Sequence, residues 1–116
     1  MNFQQAVQTC FRKYVDFSGR ASRPEYWWFI LAYVVLAFVT GFIHEYLYFI
    51  VVLAFLLPLL AAGARRLHDI GKSGWWLLLG LIPVLGGLVL LYFTVQPSQP
   101  ESNEYGPPPA LVPAGA

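Results

Sequence analysis

The sequence predicts an all-α membrane protein: a short N-terminal interfacial amphipathic helix, three transmembrane helices and a disordered, proline-rich C-terminal tail. Three observations predict it. The chain is 58% hydrophobic and only 11% charged, where a soluble domain carries about 25% charged residues. Two long runs, Tyr46–Ala64 and Trp75–Val95, hold no charge and bracket one polar island, Arg65–Gly74. Finally, a three-span threading puts every Lys and Arg on one side of the bilayer. The length suits one membrane domain (1–96) followed by a tail (97–116).

Residues 2–15 place Phe3, Val7, Cys10, Phe11 and Tyr14 at helical spacing, with Gln4, Gln5, Gln8, Arg12 and Lys13 largely elsewhere. A helix of this length is too short to span, so it is expected to lie on the membrane surface. Arg12, Lys13, Asp16, Arg20, Arg23 and Glu25 leave no continuous apolar core for a cleavable signal peptide. The single Cys10 allows no internal disulfide.

The first span is expected over 26–43. Ser22-x-x-Glu25 has capping-box spacing, and Pro24 falls in the first turn, where its missing N–H costs nothing. Read as one helix, Trp27–Ala64 would run about 57 Å, nearly twice the ~30 Å hydrocarbon core. A tight turn near His44–Tyr48 therefore starts a second span, 46–64, which continues in water to Ile70 with Gly71 as its cap. Residues 65–74 form a cytoplasmic loop, and Ser73 caps a third span over 75–95, kinked near Pro83. From Gln96 onward the chain is rich in proline and lacks Lys and Arg, so it is expected to be extended or disordered beyond about Tyr105.

Charge sets the orientation. Seven basic and three acidic residues (Asp16, Glu25, Asp69) fall on one side, and Glu45, Glu101 and Glu104 on the other. The positive-inside rule makes the basic side cytoplasmic, with the N-terminus inside and the C-terminus outside.

Several motifs fall short of a catalytic or metal site. Gly71-Lys72-Ser73 ends like a phosphate-binding loop, but Arg66 stands where the pattern needs Gly, and no strand precedes it. His68 and Asp69 are sequence neighbours, which do not face each other on a helix. The only other His, His44, belongs to the far side. No catalytic residue, cofactor or metal is therefore expected. Asp69 is expected to pair with Arg20, Arg23 or Lys72, and Glu25 with Arg65 or Arg66. Trp27, Trp28, Trp75 and Trp76 read as interface anchors. No acidic, basic or His residue lies inside a predicted span, which argues against ion-coupled transport by a single chain.

Two blocks, Asp16-Phe17-Ser18-Gly19-Arg20-Ala21-Ser22-Arg23-Pro24-Glu25-Tyr26-Trp27-Trp28 and Arg65-Arg66-Leu67-His68-Asp69-Ile70-Gly71-Lys72-Ser73-Gly74-Trp75-Trp76, closely resemble the signature blocks of the bacterial inner-membrane family "domain of unknown function 805". Asn103-Glu104-Tyr105-Gly106-Pro107-Pro108 resembles that family's ending. The preceding Pro97-Ser98-Gln99-Pro100-Glu101-Ser102 departs from its usual acidic, Gly-containing stretch. The resemblance implies a small multi-spanning inner-membrane protein and no reaction.

The favoured expectation is a non-enzymatic binding or accessory protein. Its charged interface cluster (Arg20, Arg23, Glu25, Arg65, Arg66, His68, Asp69, Lys72) would engage anionic lipid headgroups or a partner protein. The alternative is an oligomeric small-solute transporter or channel subunit. No nucleic-acid partner is expected.

Overall fold

The computed structural model describes residues 2–109. Among the described residues are four α-helices and one 3-10 helix: α1 (Phe3–Arg12), α2 (Arg23–Ile43), α3 (Glu45–Asp69), the 3-10 helix Gly74–Leu81, and α4 (Leu85–Thr94). Two of them, α2 and α3, are long and apolar enough to cross a membrane.

A reciprocal cap starts α1: Gln5 N–H donates to the Asn2 side chain at 2.8 Å, and Asn2 N–H to the Gln5 side chain at 3.1 Å. The helix ends at Arg12, three residues before the expected boundary. It is also more deeply seated than a surface helix. Ala6, Thr9 and Cys10 are buried. These small side chains let α1 approach α2 closely, and Phe11 meets Phe29 and Phe55 edge-on at 5.3 and 5.0 Å. Phe3 and Tyr14 remain exposed.

Half of the expected cap of α2 forms: Ser22 Oγ accepts the Glu25 N–H at 3.3 Å. The Glu25 carboxylate does not reach back to Ser22, because it is taken by Arg65. The expected break between the two long helices is a single residue. His44 adopts extended backbone (φ −165°, ψ 142°). Its N–H closes α2 on the Thr40 carbonyl at 3.0 Å, and its Nδ1 accepts the Tyr46 N–H, in the first turn of α3, at 3.1 Å. At 1.5 Å per residue each helix matches or exceeds the ~30 Å hydrocarbon core.

The third span expected over 75–95 is not one helix. A 3-10 leg, capped by Ser73 Oγ on the Trp75 N–H at 3.2 Å, runs to Leu81. Ile82 is then extended (φ −87°, ψ 115°), as a residue before proline prefers, and Val84 takes φ +64°. α4 follows and runs back. Trp76 meets Phe93 at 5.8 Å, and Leu90 lies beside Gly80. Gly86 sits so close to the Leu79 carbonyl that any Cβ would overlap it. These pairings make an antiparallel hairpin. Each leg is about 15 Å long, half a hydrocarbon core. Pro83, which lacks an N–H, breaks the helix, and the glycines let the legs close.

Because the hairpin returns, residue 96 emerges at the end of the molecule where α3 finishes. The three-span expectation, by contrast, carries the chain after residue 95 to the side opposite the end of α3. Disorder is expected only beyond about Tyr105; residues 96–106 lie against α3 and the Gly19–Arg20 turn. Residues 110–116 of the expected tail lie outside the described residues.

Candidate functional site

The deepest part of this fold is charged. From Ala61 to Asp69 every residue of α3 is buried, and Arg65, Arg66 and Asp69 are 1%, 0% and 0% exposed. Arg20 and Glu25, at 8% and 5%, complete the group. Burying charge is costly unless it is paired and hydrogen-bonded, so the partners decide what the cluster does.

Asp69 is the hub. Its Oδ1 accepts from Arg20 Nε at 2.9 Å, and its Oδ2 from Arg66 Nη1 at 2.6 Å and from Ser98 Oγ. Arg20 spends all five of its N–H groups. Beyond Asp69 Oδ1 they go to the carbonyls of Asp69 (3.2 Å), Gln99 (2.7 Å), Glu101 (2.9 Å) and Gly106 (3.2 Å). Arg66 donates to the carbonyls of Thr94 (3.0 Å), Ala21 (3.2 Å) and Gln96. Two guanidinium groups are thus caged largely by main-chain oxygens, most of them from the segment after α4. Asn103 Nδ2 adds a bond to the His68 carbonyl at 2.9 Å, and the Gln99 N–H one to the Asp69 carbonyl at 3.0 Å.

The backbone is shaped for this closure. Gly19 takes φ +81°, a left-handed turn open to glycine. That turn presents its carbonyl to His68 Nδ1 at 2.9 Å. A carbonyl only accepts, so Nδ1 carries the proton. The Tyr105 ring stacks parallel on the His68 imidazole, with centroids 3.8 Å apart. Gly71, at φ +80°, ends α3, and a Cβ there would lie 2.8 Å from the Gln99 amide.

Arg65 stands apart. It pairs with Glu25, while its Nε and Nη2 are buried with no hydrogen-bond partner among the described residues. Cys10 lies nearby, its Sγ 3.8 Å from the Glu25 carbonyl. Burial, then the Glu25 charge, push its thiol up to about 12, against the lowering pull of Arg65. Asp16 is held below its ordinary 3.8 chiefly by the Ser18 hydroxyl, at 2.6 Å.

The expected pairings are therefore partly met. Glu25 pairs with Arg65, and Asp69 with Arg20 and also Arg66. Lys72 does not join: its Nζ lies over the Phe93 and Trp76 rings, at 5.3 and 5.7 Å. Arg23 reaches only the Val95 carbonyl, at 3.4 Å. Trp27 donates to the Thr94 carbonyl at 3.1 Å, while Trp28, Trp75 and Trp76 are exposed. Sequence reasoning missed Thr94, Ser98, Gln99 and Tyr105. The one available signal was the Asn103–Pro108 block.

The three segments gathered here coincide with the blocks that carry the family resemblance, and the comparison with known families agrees. The profile described as "Protein of unknown function (DUF805)" matches residues 14–107. The chain belongs to the DUF805 family. Among its relatives, the Escherichia coli K12 "Inner membrane protein YhaH" is 40% identical over 116 residues, covering 88% of this chain and 93% of the relative. "Inner membrane protein YhaI" from the same strain is 42% identical over 105 residues, covering 84% and 89%. The two long apolar helices of this DUF805 member fit that location. No solved structure matches the chain significantly.

Proposed function

We propose that this chain is a non-enzymatic inner-membrane protein that engages anionic lipid headgroups at the cytoplasmic face. It does so through the rim around the buried cluster and not through the cluster itself. The observation that carries this is the division of its basic residues. Arg20, Arg65 and Arg66 are buried in ion pairs. Arg12, Lys13, Arg23 and Lys72 have no carboxylate partner among the described residues. Lys72 Nζ lies 5.7 Å from the Trp76 ring, and Phe3, Trp28, Trp75 and Trp76 are exposed aromatics suited to the headgroup layer. Each such cation contributes about 1 kcal/mol near an anionic surface.

In this reading α2 and α3 span the bilayer, and the hairpin dips in and returns. All seven basic residues and five of the six acidic ones then share one end, with Glu45 alone at the other. Lys and Arg bias makes the shared end cytoplasmic.

The test is lipid enrichment. The protein is reconstituted in equimolar phosphatidylcholine and phosphatidylglycerol, and its co-purifying lipids are quantified. Changing Arg12, Lys13, Arg23 and Lys72 together to Gln should abolish phosphatidylglycerol enrichment while the melting temperature holds. Unchanged enrichment would refute the reading.

A further inference from the structure

Beside the cluster lies a cavity of about 480 Å³ that the rim reading does not use. It falls within the ~300–1,000 Å³ typical of small-ligand sites. Its walls change character along their length. At one end are His68, Ser73 and Gly74; further along are Leu60, Leu77 and Leu78, with Phe17 closing one side. On α3, Leu60 lies about 12 Å from His68. The cavity thus runs from the polar end of α3 into the apolar band of the molecule.

The polar end carries one specific chemical feature. His68 Nδ1 donates to the Gly19 carbonyl, which leaves Nε2 of the neutral ring as an acceptor. Nε2 is 3.6 Å from the Cβ position of Gly74, another lining residue, and has no hydrogen-bond partner among the described residues. Gly74 packs tightly on α3 beside it, where a Cβ would lie 3.0 Å from Ala64. Ser73 adds a hydroxyl at the mouth.

We infer that this cavity holds one phospholipid whose headgroup carries an N–H or O–H donor. The donor meets His68 Nε2, and part of an acyl chain lies along Leu60, Leu77 and Leu78. An amphiphile matches the polarity gradient, and the donor requirement selects among lipids. The ammonium of phosphatidylethanolamine and the hydroxyls of phosphatidylglycerol qualify; the quaternary ammonium of phosphatidylcholine has no N–H to give. No rim cation enters the argument, so the two proposals stand or fall separately.

Native mass spectrometry tests this after reconstitution in equimolar phosphatidylcholine and phosphatidylethanolamine, with a parallel sample containing phosphatidylglycerol. The wild type should retain one lipid, with phosphatidylethanolamine favoured over phosphatidylcholine roughly fivefold, about the worth of one net hydrogen bond. Leu60→Trp and Leu78→Trp, at exposed wall positions, should lose the lipid while melting like the wild type. His68→Phe should retain lipid without the preference. The four-Gln rim variant should keep its phosphatidylethanolamine whatever happens to phosphatidylglycerol. No retained lipid, no preference in the wild type, or full retention in both Trp variants would overturn the inference.

Discussion

Arg20 and Asp69, 49 residues apart in sequence, meet at 2.9 Å with their side chains 1% and 0% exposed. This contact joins the turn before α2 to the end of α3, and the segment after α4 closes over both. Removing one partner of a buried pair leaves the other uncompensated, at a cost of about 3–5 kcal/mol. Asp69→Ala strands two guanidinium groups at once, so it should cost at least as much as Arg20→Ala. Thermal unfolding in mild detergent checks the order.

Arg65 and Glu25 form a more isolated pair, and Arg65 already leaves two nitrogens unpaired. Arg65→Met alone should destabilise by about 3–5 kcal/mol, because it leaves a buried carboxylate. Adding Glu25→Leu should recover most of that loss, since apolar replacement of a whole buried pair is often neutral or stabilising. A double-mutant cycle measures it. A double variant as unstable as the single one would show that the pair itself holds α2 to α3.

The segment after α4 is an integral part of the fold. A chain ending at Gln96 loses the carbonyls of Gln99, Glu101 and Gly106, the Ser98 hydroxyl and the Tyr105 ring. Hydrogen exchange at the amides of Leu67–Ile70 should speed up in that variant while the middle of α2 stays protected. Tyr105→Ala alone should cost about 0.5–1.5 kcal/mol, the worth of an aromatic stack.

Cys10 should resist alkylation in the folded protein, since it is fully buried and its thiol is pushed up to about 12. The sign follows from linkage. The raised value means the fold favours the neutral thiol, so this contribution is fully present below the ordinary 9.0 and is lost as pH rises from there towards about 12. Asp16 behaves oppositely: its lowered value adds stability above the ordinary 3.8 that is lost as pH falls below it. Maleimide or iodoacetamide kinetics against pH, with Cys10→Ser as the reference for stability, separate the thiol from the rest.

How much of this was legible in the sequence follows from the range of the forces. The helix starts at Ser22 and Ser73, the break at His44 and the cap at Gly71 are local events, written in a few adjacent residues. The pairing of Asp69 with Arg20 was one of three options that charge alone allowed. Tertiary closure decided the rest. An uncharged run such as Trp75–Val95 suits one span or a hairpin equally by hydrophobicity. The difference lies in Pro83 breaking the ladder and in Gly86 admitting the Leu79 carbonyl. The segment after α4 is polar and proline-rich, a composition that by itself favours disorder. Its order comes from guanidinium groups that accept any well-placed carbonyl, which side-chain patterns do not reveal.

That placement makes the hairpin turn a sensitive point. Gly86→Ala has no room for its methyl group and should open the turn, with a fall in melting temperature well beyond the ~1 kcal/mol of an ordinary substitution. Val84, held at φ +64°, is unfavourable for a β-branched residue. Val84→Gly should therefore be tolerated or stabilising.

The returning hairpin places both the start of the chain and the segment after α4 at one end of the molecule. Single cysteines at Gln4, Glu45 and Ser102, in a Cys10→Ser background, test it with a membrane-impermeant maleimide on intact and lysed spheroplasts. Gln4→Cys and Ser102→Cys should both label only after lysis, and Glu45→Cys before it. Labelling of Ser102→Cys in intact spheroplasts, with Gln4→Cys protected, would mean that residues 75–95 cross the bilayer after all.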